Sequence, residues 1–149
     1  MYIRGAVTVA APKPVVWSCL ADIASHVEWM ADAETITFTS PQRTGVGTTF
    51  ECRTKVGPLT TNDKMTVTEW VDETSLGVNH TGIVTGTGVF TLAASGPETT
   101  ELTWTEDLRF PKFLGGVVGA FVAKPVLRRI WRGNLDRFAR VAEQAYLSQ

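Results

Sequence analysis

Between Ile36 and Phe110 the chain alternates apolar and polar residues with little interruption. Ile36 and Phe38 stand against threonines, and Phe50, Cys52 and Val56 against Glu51, Arg53 and Lys55. Met65 and Val67 stand against Lys64, Thr66 and Thr68. Leu76, Val78 and His80 share one register, as do Val84, Gly86, Gly88, Phe90 and Leu92, and then Leu102, Trp104, Glu106, Leu108 and Phe110. A period of two, with threonine and charge on the opposite face, predicts antiparallel strands that are dry on one side and wet on the other. Joints at Gly57-Pro58, Thr81-Gly82 and Gly96-Pro97 suit hairpins, because glycine and proline supply turn dihedrals.

Ahead of this block, Tyr2 to Ala10 predicts a further strand, with Ile3, Val7 and Val9 in register. In "APKPVVWSCLADI" the prolines sit where a helix starts, and Val16, Leu20 and Ile23 follow as a helical stripe. "ASHVEWM" predicts a second short helix, ending near Met30. Beyond Phe110 one long helical pattern runs to about Tyr146, with Leu127, Trp131, Leu135, Phe138 and Ala142 as its buried stripe. The dry face of a sheet needs a cover, and only the terminal helix is long enough to provide it. The expected architecture is α+β: a curved seven-stranded antiparallel sheet wrapped around a long C-terminal helix, with two short helices between the first two strands.

A chain of 149 residues most naturally forms one domain, residues 1-149, with a sizeable core. At 44% hydrophobic and 19% charged residues it reads as globular, and a net charge of −1 gives no pull toward nucleic acid. The positive charge is uneven: Lys124, Arg128, Arg129, Arg132, Arg137 and Arg140 crowd the last helix. Such a face could meet an acidic membrane surface or partner, although most charged helix faces are simply solvated. Cys19 and Cys52 fall in apolar patterns and suit buried free thiols. Two histidines without a cysteine cluster argue against the usual zinc sites, and no cofactor motif is present; Gly45-Val46-Gly47 lacks the lysine and helix of a phosphate loop. The N-terminus has no signal-peptide pattern, and a cytoplasmic protein is expected. The uncharged run Phe113 to Ala123 is far shorter than the ~20 residues of a membrane span.

Two glycines on an inward register, Gly86 and Gly88, suggest space over the middle of the sheet and hence a cavity. Glu106 interrupts an apolar row and is the candidate acid, base or polar anchor. If short loops set the pairing, Glu106 falls beside Gly88 and Leu76, and His80 beside Val84 near Phe110. The two would then lie roughly 15 Å or more apart, too far for a dyad, with His80 at the rim. His26 is expected at the surface. Gly115, Gly116 and Gly119 each weaken a helix by about 1 kcal/mol relative to alanine. Pro125 should kink or split that helix. Phe113, Val117 and Phe121 would form an apolar lid.

The segments "VTVAAPKPVVWSCLAD" with Trp29 following, "GVGTTFE", "VTEWVDETSL", "LTWTEDL" and "NLDRFARVAE" together resemble the START-like, Bet v 1-like superfamily. The nearest subgroup is the polyketide cyclase/dehydrase and lipid-transport (SRPBCC) proteins. The resemblance spans essentially the whole chain and implies a helix-grip fold whose cavity holds lipids, sterols, hormones or polyketides. The loop "PQRTGVGT" lacks the longer glycine-rich loop of the pollen-allergen relatives, and no gate loops of the hormone receptors are recognisable. The expected cavity residues are Trp29, Phe50, Met65, Val78, His80, Gly86, Gly88, Phe90, Trp104, Phe113, Val117 and Phe121, with Glu106 as polar anchor. The leading expectation is a binder of a small hydrophobic ligand, with no metal and no cofactor. The alternatives are a polyketide cyclase or dehydratase in which Glu106 moves protons, and a protein-interaction module.

Overall fold

A computed structural model describes all 149 residues. Seven strands form one antiparallel sheet: β1 (Tyr2–Val9), β2 (Ala33–Phe38), β3 (Thr49–Val56), β4 (Leu59–Val71), β5 (Ser75–Thr81), β6 (Thr85–Gly96) and β7 (Thr99–Arg109). Their order is β1-β7-β6-β5-β4-β3-β2, so the chain meanders from β2 to β7 and the last strand pairs with the first. Irregular register in the β2–β3, β4–β5 and β6–β7 pairs adds local bends, which suit a curved sheet. The β3–β4 hairpin turns through Gly57-Pro58, with Val56 opposite Leu59 and Gly57 at φ 58°. Only glycine takes that conformation cheaply.

Helix α1 (Lys13–Ala21) begins after Pro12, which is extended, and Pro14 lies in its first turn, where a missing N–H costs nothing. A 3₁₀ turn follows at Ile23–Glu28. A further 3₁₀ turn, Lys112–Leu114, leads into helix α2 (Gly116–Leu147). Gly115 and Gly116 both have positive φ, 88° and 52°, so they shape the approach to the helix rather than weakening its middle. Pro125 does not split α2, which runs unbroken through it. Its missing donor frees the carbonyl of exposed Phe121, where water can take the bond.

The core is concentrated under the C-terminal half of α2. Leu135, Phe138, Ala139 and Ala142 pack into a cluster with Val9, Val16, Leu20 and Leu102, all buried. Gly5 on β1 allows this approach: a β-carbon there would come within 2.9 Å of Leu135 Cδ1. Polar groups fix the helix to the loop after the 3₁₀ turn. Fully buried Asn134 accepts a bond from the Ala31 N–H at 3.0 Å and donates to Asp32 Oδ1 at 2.9 Å, while Arg137 Nε donates to the Trp29 carbonyl at 3.0 Å. The N-terminal half of α2 covers the sheet without filling the space beneath it.

Candidate functional site

That unfilled space is a cavity of about 270 Å³ between the inner sheet face and α2. Its floor includes Phe50, Met65, Val78, Phe90 and Trp104, and Ala123, Leu127 and Trp131 of α2 form its roof. Nineteen of its 27 lining residues are hydrophobic, so the few polar groups stand out. A larger, open depression of about 600 Å³ lies on the outside of α1, beside Trp17, Phe38 and Arg43. The cavity, by contrast, is lined by the buried side chains of Glu106 and His26.

The principal polar feature is a contact between two residues that the sequence-based pairing places too far apart to touch. His80 Nε2 lies 3.2 Å from Glu106 Oε2, with both side chains nearly buried, at 13% and 11% exposure. The other carboxylate oxygen, Oε1, accepts a bond from Trp104 Nε1 at 3.1 Å. The expected 15 Å separation fails for two reasons. First, His80 pairs with Gly86 rather than Val84, and Gly88 pairs with Val78 rather than Leu76. The offset from Glu106 is therefore two residues rather than four. Second, the strand between them carries a glycine, Gly88, directly opposite Glu106. Strands two apart in a sheet are separated by about 10 Å, which two long side chains can bridge only where nothing stands between them.

The glycines thus have a different role from the one expected of them. A β-carbon on Gly88 would collide with the Glu106 carboxylate, so the missing side chain makes room for Glu106 rather than for ligand alone. Gly86 does not line the cavity; a β-carbon there would strike the Asp107 carbonyl.

Burial by itself would lower the pKa of His80. The hydrogen bond to Glu106 and its negative charge, aided by Asp63 and a bond to the Val84 backbone, outweigh burial and leave the imidazole pKa raised above its ordinary 6.5. The carboxylate thus favours the protonated form of the imidazole, and both groups line the cavity. Asp63 marks a second polar zone on the same inward face. Its carboxylate accepts bonds from Thr54 Oγ1 at 3.0 Å and Thr61 Oγ1 at 3.2 Å.

His26 is not at the surface. It is 5% exposed, lines the cavity, and donates from Nε2 to the Leu20 carbonyl at 2.7 Å. Burial pushes its pKa down to about 4, so it is neutral at physiological pH. Burial likewise raises the Cys52 thiol to about 11, which keeps it protonated and unreactive.

Of the residues expected around a ligand, Phe50, Met65, Val78, His80, Gly88, Phe90, Trp104 and Glu106 do line the cavity. Trp29 does not: it is 1% exposed and packs edge-on to Phe138 at 5.0 Å within the core. Phe113, in the 3₁₀ turn before α2, and Val117 and Phe121 on α2 form no lid over this cavity, being 75%, 88% and 79% exposed and absent from its lining. The helical residues that cover the space are Ala123, Leu127 and Trp131, and Trp131 reaches Trp104 edge-on at 5.5 Å. Leu127 and Trp131 were visible as part of the helix stripe. Asp63 and Thr61 were missed because they open the inward row of Met65 and Val67, before the alternation becomes apolar.

A long helix gripped by a curved antiparallel sheet, with a cavity between them, is the helix-grip fold of START-like proteins. The family described as "Polyketide cyclase / dehydrase and lipid transport" matches residues 3–143, and the chain belongs to it. No curated protein matches the sequence. Among solved structures, the Zhui aromatase/cyclase of Streptomyces sp. R1128 is similar with a TM-score of 0.80 and 19% identity, over 97% of this chain and 94% of that one. A conserved protein of Geobacillus kaustophilus has a TM-score of 0.82 at 14% identity, over 98% and 97% of the two chains. A START superfamily protein of Mycobacterium smegmatis has a TM-score of 0.72 at 14% identity, over 99% and 97%. At these identities the likeness establishes the fold and leaves the chemistry to this chain's own residues.

Proposed function

We propose that the chain binds a small, largely apolar molecule carrying at least one oxygen. Its hydrocarbon part would lie against Phe50, Met65, Val78, Phe90 and Trp104, and its oxygen at His80 and Glu106. One observation carries this reading: a hydrogen-bonded His–Glu pair faces into a cavity that is otherwise mostly hydrocarbon. A buried charged pair in such a place costs desolvation, and contact with a polar ligand group would offset part of that cost. The volume limits the occupant. Ligand pockets commonly measure ~300–1,000 Å³, so about 270 Å³ suits a single ring or a short acyl chain. A fused multi-ring product would require α2 to move outward.

The same pair supports a second reading, a proton-transfer enzyme acting on a ketone-bearing chain. A carbonyl oxygen brought up to the pair would take the proton that His80 Nε2 shares with Glu106 Oε2, and until then the carboxylate would stabilise the charge on the imidazole. The family description and the aromatase/cyclase neighbour make cyclisation or dehydration the reactions to test. Incubation with a short β-ketoacyl thioester separates the two readings. Saturable binding with the thioester recovered intact supports a carrier; conversion abolished by Glu106→Gln, with binding retained, supports the enzyme. Neither binding nor conversion of such probes would count against both.

A further inference from the structure

Helix α2 turns its cavity-lining residues inward and a second apolar surface outward. Val117, Val118, Phe121, Val122 and Val126 are 88%, 71%, 79%, 69% and 55% exposed, and Phe113 just before the helix is 75% exposed. At about 100° per residue the five helical positions span one half of the circumference, and Ala123, Leu127 and Trp131 fall on the other. The outward half is thus a continuous apolar strip over the first turns of the helix. Exposed apolar surface of this extent on a soluble fold marks an interaction site.

The charges around the strip identify its partner. From Lys112 to Leu135 the sequence contains Lys112, Lys124, Arg128, Arg129 and Arg132 and not one aspartate or glutamate. None of these five cations is held in an ion pair within the chain. We propose that this face docks on an anionic lipid bilayer. The valines and phenylalanines enter the boundary between headgroups and acyl chains, and the lysines and arginines meet lipid phosphates. A second copy of the chain fits less well, because two such faces would bring ten cations together without a carboxylate to offset them. The docked helix is also the roof of the cavity, so the bilayer would lie against the element that covers the ligand space. This surface is distinct from the His80–Glu106 pair, and either assignment can fail without the other.

The test is sedimentation of the whole protein with phosphatidylcholine vesicles, with and without added phosphatidylglycerol. Binding should require the anionic lipid and weaken at high salt, where surface charges are screened. Phe121→Ser should reduce the partition coefficient by about tenfold or more, from the apolar area lost. The double variant Arg128→Gln/Arg129→Gln should reduce it by about tenfold or more, through lost attraction to phosphate. All three side chains are exposed, so circular dichroism should show both variants folded like the parent. Absence of binding to the anionic vesicles, or binding unchanged by Phe121→Ser, would overturn the proposal. So would a solution dimer, lost in Phe121→Ser, from a protein that ignores vesicles.

Discussion

The carboxylate of Glu106 occupies the place that a side chain on Gly88 would fill. These residues face each other across the β6–β7 pair, and the vacancy lets Glu106 reach over β6 to His80 on β5. The candidate site therefore depends on a residue that has no side chain. A glycine here weakens the strand slightly, and in return two polar groups from strands two apart can touch.

Gly88→Ala tests this directly. Gly88 is not at positive φ, so alanine meets no backbone strain, but its methyl group would lie 2.8 Å from the Glu106 carboxylate carbon. The carboxylate should move away from His80 while the protein stays folded. NMR titration should then show the His80 pKa lowered from its raised native value, toward that in Glu106→Gln. An unchanged His80 pKa would mean that the vacancy is not needed.

The pair also predicts a pH dependence of stability. Because the folded pKa of His80 is raised, its contribution is fully present below the unfolded value of about 6.5 and is lost as pH rises through the folded value. Wild type should exceed Glu106→Gln in stability by about 1.5–3 kcal/mol near pH 6, the range for hydrogen bonds to charged groups. Urea unfolding should show this difference shrinking as the pH rises above neutrality. A difference that grows with pH would contradict the pairing.

His26 should behave in the opposite sense. Its folded pKa is about 4, so between about pH 6.5 and 4 the unfolded chain binds a proton that the folded chain refuses. Stability should fall with acidification across that window, by up to about 3 kcal/mol at its lower end. His26→Gln, which keeps a donor for the Leu20 carbonyl, should be less sensitive to acid over the same range. Equal sensitivity in the two proteins would place the titrating group elsewhere.

Alternation alone identified the seven strands, because each has one dry face, and the terminal helix followed from its stripe. Most of the cavity floor was legible for the same reason: Phe50, Val78, Phe90 and Trp104 share inward registers. The His80–Glu106 contact was not legible. It depends on a two-residue difference in how β5 pairs with β6, which inward and outward parity cannot reveal, since a shift of two preserves the face. The outer strip of α2 was misread for a related reason. Phe113, Val117 and Phe121 are apolar, and apolar residues are normally assigned inward, yet Ala123, Leu127 and Trp131 already occupy the inward face. His26 was misplaced because one short polar segment does not show whether α1 and the core will enclose it.

The central claim is that the space under α2 holds a small apolar ligand, and a side chain that fills the space tests it most directly. Ala123 lies in the cavity roof, so Ala123→Phe would project a ring into existing volume instead of overpacking a dense core. The decisive measurement is titration of the parent and this variant with an apolar fluorescent probe, with folding checked by circular dichroism. The parent should bind saturably, and the folded variant should lose most of that affinity. A parent that binds no probe, or a folded variant that binds as tightly as the parent, would contradict the assignment of this cavity as the ligand site.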